Sequence, residues 1–313
     1  MSDMQVKTLL SQMERVLFGK EQQCRLAVAA LLAGGHLLIE DVPGVGKTTL
    51  ALALTRSVDL RFGRIQFTPD TLPGDVTGYG TVDMQTGEMR YHPGPVMNNI
   101  VLADEINRTS PKTQASLLEV MQEKQVSFEG QAIAVPTPFM VIATENPIEF
   151  AGTYRLPEAQ LDRFLMRISM GYPDKREEAL MLERQLAGET VASLEPVVSR
   201  EELLAMCEAA AAVKVSEAIR KYLVALTEST RHARALSLGA SPRATLALAR
   251  AAQAWAYLEG RDYVNPEDVL AVVSPVLTHR LVLSLDASLR DASVTAVLDE
   301  CVRSVAVPPV FAR

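Results

Sequence analysis

Cysteine is scarce in this chain, and its scarcity excludes whole classes of fold. Only Cys24, Cys207 and Cys301 occur among 313 residues. They are odd in number, far apart and never spaced as Cys-x-x-Cys, so neither a disulfide framework nor a zinc site is expected. Buried free thiols are the plain reading. A basic surplus is missing too. The net charge is −7, whereas proteins that rely on phosphate-backbone contacts carry a basic excess or patch. Nucleic acid is therefore not an expected partner, although a local basic pore loop would escape this count. Long apolar runs are also absent. The most apolar early stretch, Leu26 to Ile39, is too short to span a membrane and is broken by Gly34, Gly35 and His36. No basic-then-apolar leader opens the sequence, and a cytoplasmic location with no membrane span follows by default. His36, His92, His232 and His279 show no spacing that would make them partners. There is no internal repeat and no low-complexity tract.

What remains is an ordinary globular composition, 48% hydrophobic and 22% charged. At 313 residues the length suits two domains. The first half alternates short apolar runs with helical patterns, which predicts a parallel sheet with helices on both faces. Strands are expected at His36–Glu40, Arg64–Phe67, Ile100–Ala103, Phe139–Ala143 and Phe164–Met170. Helices are expected at Glu21–Leu32 and Lys47–Ser57, from Pro111 (capped by Ser110) to Glu123, and from Pro157 to near Arg163. Two β-hairpins interrupt the pattern. One alternates Val82 and Met84 with Met89 and Tyr91 around Gln85-Thr86-Gly87. The other alternates Val126 and Phe128 with Ile133 and Val135 around Glu129-Gly130. Beyond Gly171-Tyr172-Pro173 the chain becomes rich in Ala, Leu, Glu and Arg. Helices are expected there at Lys175–Leu186, Arg200–Ala211, Ser216–His232, Pro242–Leu258 and Pro266–Val273. A domain boundary is placed near 173–175, giving units 1–173 and 174–313.

The segment His36-Leu-Leu-Ile-Glu-Asp-Val-Pro-Gly-Val-Gly-Lys-Thr-Thr49 carries the first chemical signal. An apolar strand runs into a glycine loop, and Lys-Thr opens a helix. Backbone N–H groups of such a loop, Pro43-Gly44-Val45-Gly46 through Lys47, Thr48 and Thr49, point at phosphate oxygens, and the helix dipole adds to the attraction. Lys47 would reach the β- and γ-phosphates of a nucleotide, and the Thr48 hydroxyl would bind Mg²⁺. The generic phosphate-loop pattern asks for glycine where this chain has Asp41.

Asn98-Asn-Ile-Val-Leu-Ala-Asp-Glu105 is the second signal. An apolar strand ends in two acids at the edge where α/β sheets bind ligands. Asp104 suits an outer-sphere role on Mg²⁺, and Glu105 suits polarising a water. The plain alternative, a strand ending in solvated acids, loses ground to the phosphate loop upstream. The acid pair argues against a nucleotide kinase, and the lack of Asn-Lys-x-Asp argues against a GTPase. Strand Phe139–Ala143 ends in Thr144-Glu145-Asn146-Pro147. There Asn146 is either a turn-former before proline or an amide that touches both γ-phosphate and water.

Phosphate loop, Asp-Glu strand, Asn-tipped strand and helical second domain, in that order, resemble the AAA+ ATPases. The MoxR family is the nearer likeness, through His36–Thr48, Leu102–Arg108, Ala143–Pro147 and Leu156–Phe164 (Leu-Pro-Glu-Ala-Gln-Leu-Asp-Arg-Phe). The resemblance spans nearly the whole chain and accounts for both hairpins and for Asp41. It implies an AAA+ P-loop core with a central parallel sheet and a C-terminal all-helical lid. It also implies ATP and Mg²⁺ as cofactors and a homo-oligomeric ring, a hexamer by family habit.

The same resemblance gives roles to arginines. Arg163 is similar to the finger that one subunit offers to its neighbour's ATP. Its alternative is a surface pair with Asp162 worth under ~1 kcal/mol. Arg243, after Ser241-Pro242, matches the lid's second sensor. A cation in a first helical turn faces the positive end of the dipole, and a γ-phosphate nearby would reverse that cost. Arg108 and Arg155 stand equally as interface arginines or surface residues. Val16, Phe18 and Gly19 resemble the segment that packs on adenine, with a core role nearly as good. Trp255 and Tyr257 read as core. The implied activity is ATP hydrolysis in a chaperone-like task, remodelling or metal-loading a client protein, with a von Willebrand factor A-domain protein as a further partner. Its rivals are a DNA-acting AAA+ motor and a nucleotide-gated assembly switch with little hydrolysis.

Overall fold

The computed structural model describes residues 2–147 and 154–309. The chain opens with α1 (Ser2–Glu14) and α2 (Glu21–Leu32), then β1 (Leu37–Glu40), α3 (Lys47–Ser57) and β2 (Phe62–Gln66). A short α4 (Pro73–Thr77) leads into the hairpin β3 (Gly78–Val82) and β4 (Met89–Pro93). Next come β5 (Ile100–Asp104), α5 (Pro111–Glu123) and the second hairpin, β6 (Gln125–Phe128) with β7 (Gln131–Ala134). Strand β8 (Met140–Glu145), α6 (Glu158–Leu161) and β9 (Met166–Ile168) complete the core.

Five strands form one parallel sheet in the order β2-β5-β8-β1-β9. Parallel sheets need both faces covered, and side-chain alternation achieves this. Leu37, Ile39, Ile100 and Leu102 point into a cluster shared with α1, α2 and α3. Leu38, Val101, Ala103 and Val141 point the other way, against Leu117, Leu118 and Met121 of α5. Each fully buried leucine contributes about 1.5–3 kcal/mol. The two hairpins lie outside the sheet and meet through Tyr91 and Phe128, whose ring centres are 5.0 Å apart. Helix α1 is an addition to the expected elements. Val6, Leu9, Leu10 and Met13 recur at helical spacing and are buried.

The second half contains α7 (Lys175–Leu186), α8 (Arg200–Ala211), α9 (Glu217–His232), β10 (Leu236–Leu238), α10 (Pro242–Leu258), α11 (Pro266–Leu277), β11 (Val282–Leu283), α12 (Leu285–Leu289) and α13 (Val294–Ser304). It is helical apart from the small β10–β11 ribbon. Asp174, Ser199, Ser216, Ser241 and Asn265 cap α7 to α11 by accepting backbone N–H groups. Each such cap is worth about 1 kcal/mol. Helix α11 runs one turn beyond the expected Val273, because Pro275 lies near its end and removes little of its hydrogen-bond ladder. Among the described residues, no helix is long and apolar enough to cross a membrane.

Helix α10 lies antiparallel along α2, and this packing decides where its first turn falls. Arg25 of α2 pairs with Glu259 just after α10 and sits 4.8 Å over the Trp255 ring. At the opposite end, Arg243 and Ala247 of α10 lie beside Gly34 and Gly35, which follow α2. Since α2 descends to the start of β1, the start of α10 comes to the amino edge of the sheet.

His36 enters β1 fully enclosed. Its Nδ1 accepts the Val141 N–H (2.9 Å), which leaves Nε2 to donate to the Met121 carbonyl (3.2 Å). Burial pushes its pKa down to about 4 from the usual 6.5. Above pH 6.5 the ring is neutral folded or unfolded. Between 6.5 and 4 only the unfolded chain takes up the proton, so stability falls as pH falls. At pH 5 the loss should be on the order of 2 kcal/mol. Denaturant titrations from pH 7.5 to 4.5 should show this decline, with a shallower slope for His36→Asn; equal slopes in the two proteins would remove His36 as the cause.

Candidate active site

The carboxyl edge of the sheet gathers four functional segments. Strand β1 delivers the glycine loop, β5 delivers Asp104 and Glu105, β8 delivers Glu145 and Asn146, and β2 delivers Gln66, in register with Asp104. Gly44 and Gly46 adopt φ of 87° and 95°, a left-handed backbone that disfavours any side chain. Helix α3 then starts at Lys47 with no side-chain cap and no acid in its first turn. Its first N–H groups lack intrahelical acceptors, so its N-terminus keeps the positive potential that suits a phosphate.

Lys47 is buried. Its Nζ donates to the Asp41 carbonyl (2.7 Å) and the Glu145 carbonyl (3.4 Å), which holds the ammonium between the loop and β8. Burial lowers its pKa, while Asp104, Asp41 and Glu105 oppose the shift by stabilising the cation. Asp41 is a brace. Its carboxylate accepts from Val42 N–H (2.8 Å), Ser169 Oγ (2.8 Å) and Gly171 N–H (2.7 Å), which ties the loop to the chain leaving β9. Burial alone would raise its pKa, but these hydrogen bonds outweigh burial and hold it below the usual value. Glu145 differs. Burial, reinforced by neighbouring Glu40, raises it to about 7 against the pull of Arg167.

The acid pair is positioned by one hydroxyl. Thr144 Oγ1 donates to Asp104 Oδ1 (2.7 Å) and accepts the Glu105 N–H (2.8 Å). Glu105 sits at φ 56°, ψ 51°, a left-handed conformation that costs a non-glycine residue about 1 kcal/mol. Its carboxylate accepts from Arg108 Nη1 (2.8 Å) and Gln66 Nε2 (3.3 Å). Arg64 donates to Asp104 Oδ2 (2.8 Å). Asn146 is buried beyond β8, and its carbonyl accepts from Asn107 Nδ2 (3.4 Å). Gln114 of α5 donates to the carbonyls of Ile106 (3.1 Å) and Tyr154 (3.0 Å), which sets Tyr154 and the exposed Arg155 beside the acidic segment.

Lys47, Thr48, Asp104, Glu105 and Asn146 thus converge on one edge. Beside them a recess of about 310 Å³ is lined by Val16, Phe18 and Thr49, with Gln185 and Thr190 closing it from the second half. Its size and apolar walls fit a flat heterocycle next to the phosphate loop. The donor set fits a nucleotide polyphosphate with a hard divalent cation, offering an ammonium, free N–H groups, a hydroxyl and a carboxylate. Sequence reasoning missed Thr144, Gln66 and Arg64. Each is a polar residue near the carboxyl end of a strand that borders β5, Arg64 and Gln66 on β2 and Thr144 on β8, which is the signal that would have found them.

Arg163 and Arg243 are not on that edge. Both line a recess of about 330 Å³ at the amino end of β1, with Lys124 and Arg250. The four residues of β1 separate the two edges by ~13 Å. Arg163 lies there because it precedes a parallel strand, and Arg243 because α10 runs antiparallel to α2. Arg163 is half-buried and Arg243 exposed.

Known proteins resemble this chain in sequence and in fold. The model of the ATPase family associated with various cellular activities (AAA) matches residues 36–166, and the AAA lid domain matches residues 228–301. An uncharacterised protein, YeaC of Bacillus subtilis, is 47% identical over 94% of this chain and 92% of its own. Chaperone MoxR1 of Mycobacterium tuberculosis is 42% identical over 96% of this chain and 82% of its own. A crystal structure of a protein from Cytophaga hutchinsonii superposes with a TM-score of 0.91 at 36% identity, covering 98% of this chain and 96% of that one. With its P-loop core, parallel sheet and AAA lid, the chain belongs to the MoxR family of AAA+ ATPases.

Proposed function

We propose that the chain hydrolyses ATP as a homo-oligomeric ring, with each ATP held between two subunits, and uses the cycle to remodel a client protein. One observation carries the reading: the phosphate loop and acid pair occupy one edge of the sheet, while Arg163 and Arg243 share a recess on the opposite edge. A single subunit therefore carries two half-sites facing opposite ways, which a ring would bring together. In this reading residues 1–173 are the nucleotide-binding core and 174–313 the lid.

Within the site, Lys47 and the N–H groups from Gly44 to Thr49 bind the phosphates. The Thr48 hydroxyl and the Asp104 carboxylate would hold Mg²⁺, which when bound neutralises charge on the phosphate oxygens. Glu105 accepts a hydrogen bond from the attacking water and turns its lone pair toward the γ-phosphorus, with Asn146 on the other side of that water. Val16 and Phe18 pack on adenine. Arg163 of the neighbour neutralises charge that develops in the transition state. Arg243 reads the same γ-phosphate from the neighbour. This differs from the sensor role in its own subunit's site that the family pattern suggests, and follows from its sharing a recess with Arg163.

The client-facing surface would be the β3–β4 hairpin. Tyr79, Val82, Met84 and Met89 are exposed there, Met84 almost completely (95%). Its tip, Asp83 to Glu88, and the second hairpin, Gln125 to Ala134, contain no lysine or arginine. That favours a protein client over nucleic acid, in keeping with the relative named as a chaperone. The hexameric count, the von Willebrand factor A-domain partner and the metal-loading option come from the family likeness alone.

Lys47→Ala should abolish ATP binding measured by calorimetry; undiminished affinity would sink the phosphate-loop assignment. Thr144→Val keeps volume but strands the Glu105 N–H, a penalty of about 1–3 kcal/mol, so turnover should fall about tenfold or more with KM little changed. Arg163→Ala and Arg243→Ala should each cut turnover, by up to about 10³-fold for Arg163, while nucleotide affinity persists. Mixing either with Glu105→Gln subunits should restore activity, because intact interfaces re-form between unlike subunits. If Arg243→Ala is not restored although Arg163→Ala is, Arg243 serves its own subunit.

A further inference from the structure

Arg280 carries a charge that the chemistry above does not use. It ends the 3-10 turn Thr278–Arg280 that continues from α11, and its side chain is only 4% exposed. Nε donates to Asp162 Oδ1 (2.7 Å). Nη2 donates to the carbonyls of Asp162 (3.2 Å) and Phe164 (2.6 Å), and Nη1 to the carbonyl of Leu165 (3.2 Å). Nη1 also meets the Val276 carbonyl of its own helix. One guanidinium thus grips the backbone on both sides of Arg163 and leaves that side chain facing the recess.

Burying a guanidinium is costly, and an apolar residue of similar volume usually serves stability as well or better. What only arginine supplies is a planar fork of five donors in fixed directions. Three carbonyls and one carboxylate around residues 162–165 match that fork, which suits a device that fixes a position. The other end of the connection is equally specific. Helix α11 packs along α10, which carries Arg243. Arg280 therefore joins the loop of Arg163 to the helix pair of Arg243.

We infer that Arg280 is a positioning residue: it clamps the 162–165 loop to the lid, so that Arg163 and Arg243 approach the neighbouring subunit's ATP as one unit. The inference rests on the proposed trans role of these arginines. A lid shift in one subunit then moves both arginines together, and transmits nucleotide state around the ring.

The test uses full-length Arg280→Lys, which keeps the charge and loses the fork, and Asp162→Asn, which weakens the clamp from its partly exposed side. Circular dichroism and sedimentation with ATP check folding and assembly; should Arg280→Lys not fold, Asp162→Asn carries the same measurements. The expected result is a kcat at least about tenfold lower, the scale of a small misplacement of a charged group, with KM for ATP within about twofold. Mixing with Glu105→Gln subunits should restore turnover, and mixing with Arg163→Ala subunits should not, because both then lack a working finger. Unchanged kcat would overturn the inference, as would a loss that Glu105→Gln subunits fail to restore while they do restore Arg163→Ala. If Arg163→Ala is itself not restored, the trans reading falls and this inference with it.

Discussion

Parallel alignment of the five central strands is the constraint on which the rest of the structure depends. In such a sheet every strand finishes on the same edge, so whatever follows a strand collects on one side and whatever precedes one collects on the other. The glycine loop, Asp104-Glu105 and Glu145-Asn146 all follow strands, and they meet although far apart in sequence. Gly34-Gly35 and Arg163 precede strands, and they meet on the opposite edge. The sheet therefore sorts the functional residues into two groups before any side chain makes a contact.

Local chemistry refines this sorting. The loop needs a backbone that most residues resist, and glycine supplies it at 44 and 46. Glu105 is held in a similar backbone region despite its side chain, and the hydroxyl of Thr144 holds it there. That strain fixes the direction of a carboxylate whose value lies in its aim. The buried Lys47 faces the charges of Asp41, Asp104 and Glu105, which an incoming polyphosphate and its cation would re-pair.

Much of this was legible in the sequence, because the relevant signals are local. Buried parallel strands read as short apolar runs, and the five expected runs are the five strands of the sheet, shifted by a residue or two at their ends. Helices α2, α3, α5, α7, α8 and α10 fall where caps and apolar spacing put them. The loop and the acid pair depend on contiguous residues, which is why they stood out. Tertiary facts were not legible. Thr144 looks like any strand-end threonine until β8 is known to lie beside β5. Arg243 stands out in the sequence as a cation in a first helical turn, but the edge it faces depends on how α10 crosses α2. Arg280 has no local mark of this role, because its acceptors in the 162–165 loop lie more than a hundred residues away. Helix α1 does carry a local signal, the helical spacing of Val6, Leu9, Leu10 and Met13.

The two-edged layout has a genetic consequence. On the proposed reading, a subunit with a damaged recess still binds its own nucleotide normally and still takes its place among intact copies. The fault surfaces one seat away, in a sibling whose own sequence is faultless. Alleles that alter the recess are then expected to be dominant over the normal copy, while alleles that prevent folding, and so never join the assembly, are expected to be recessive.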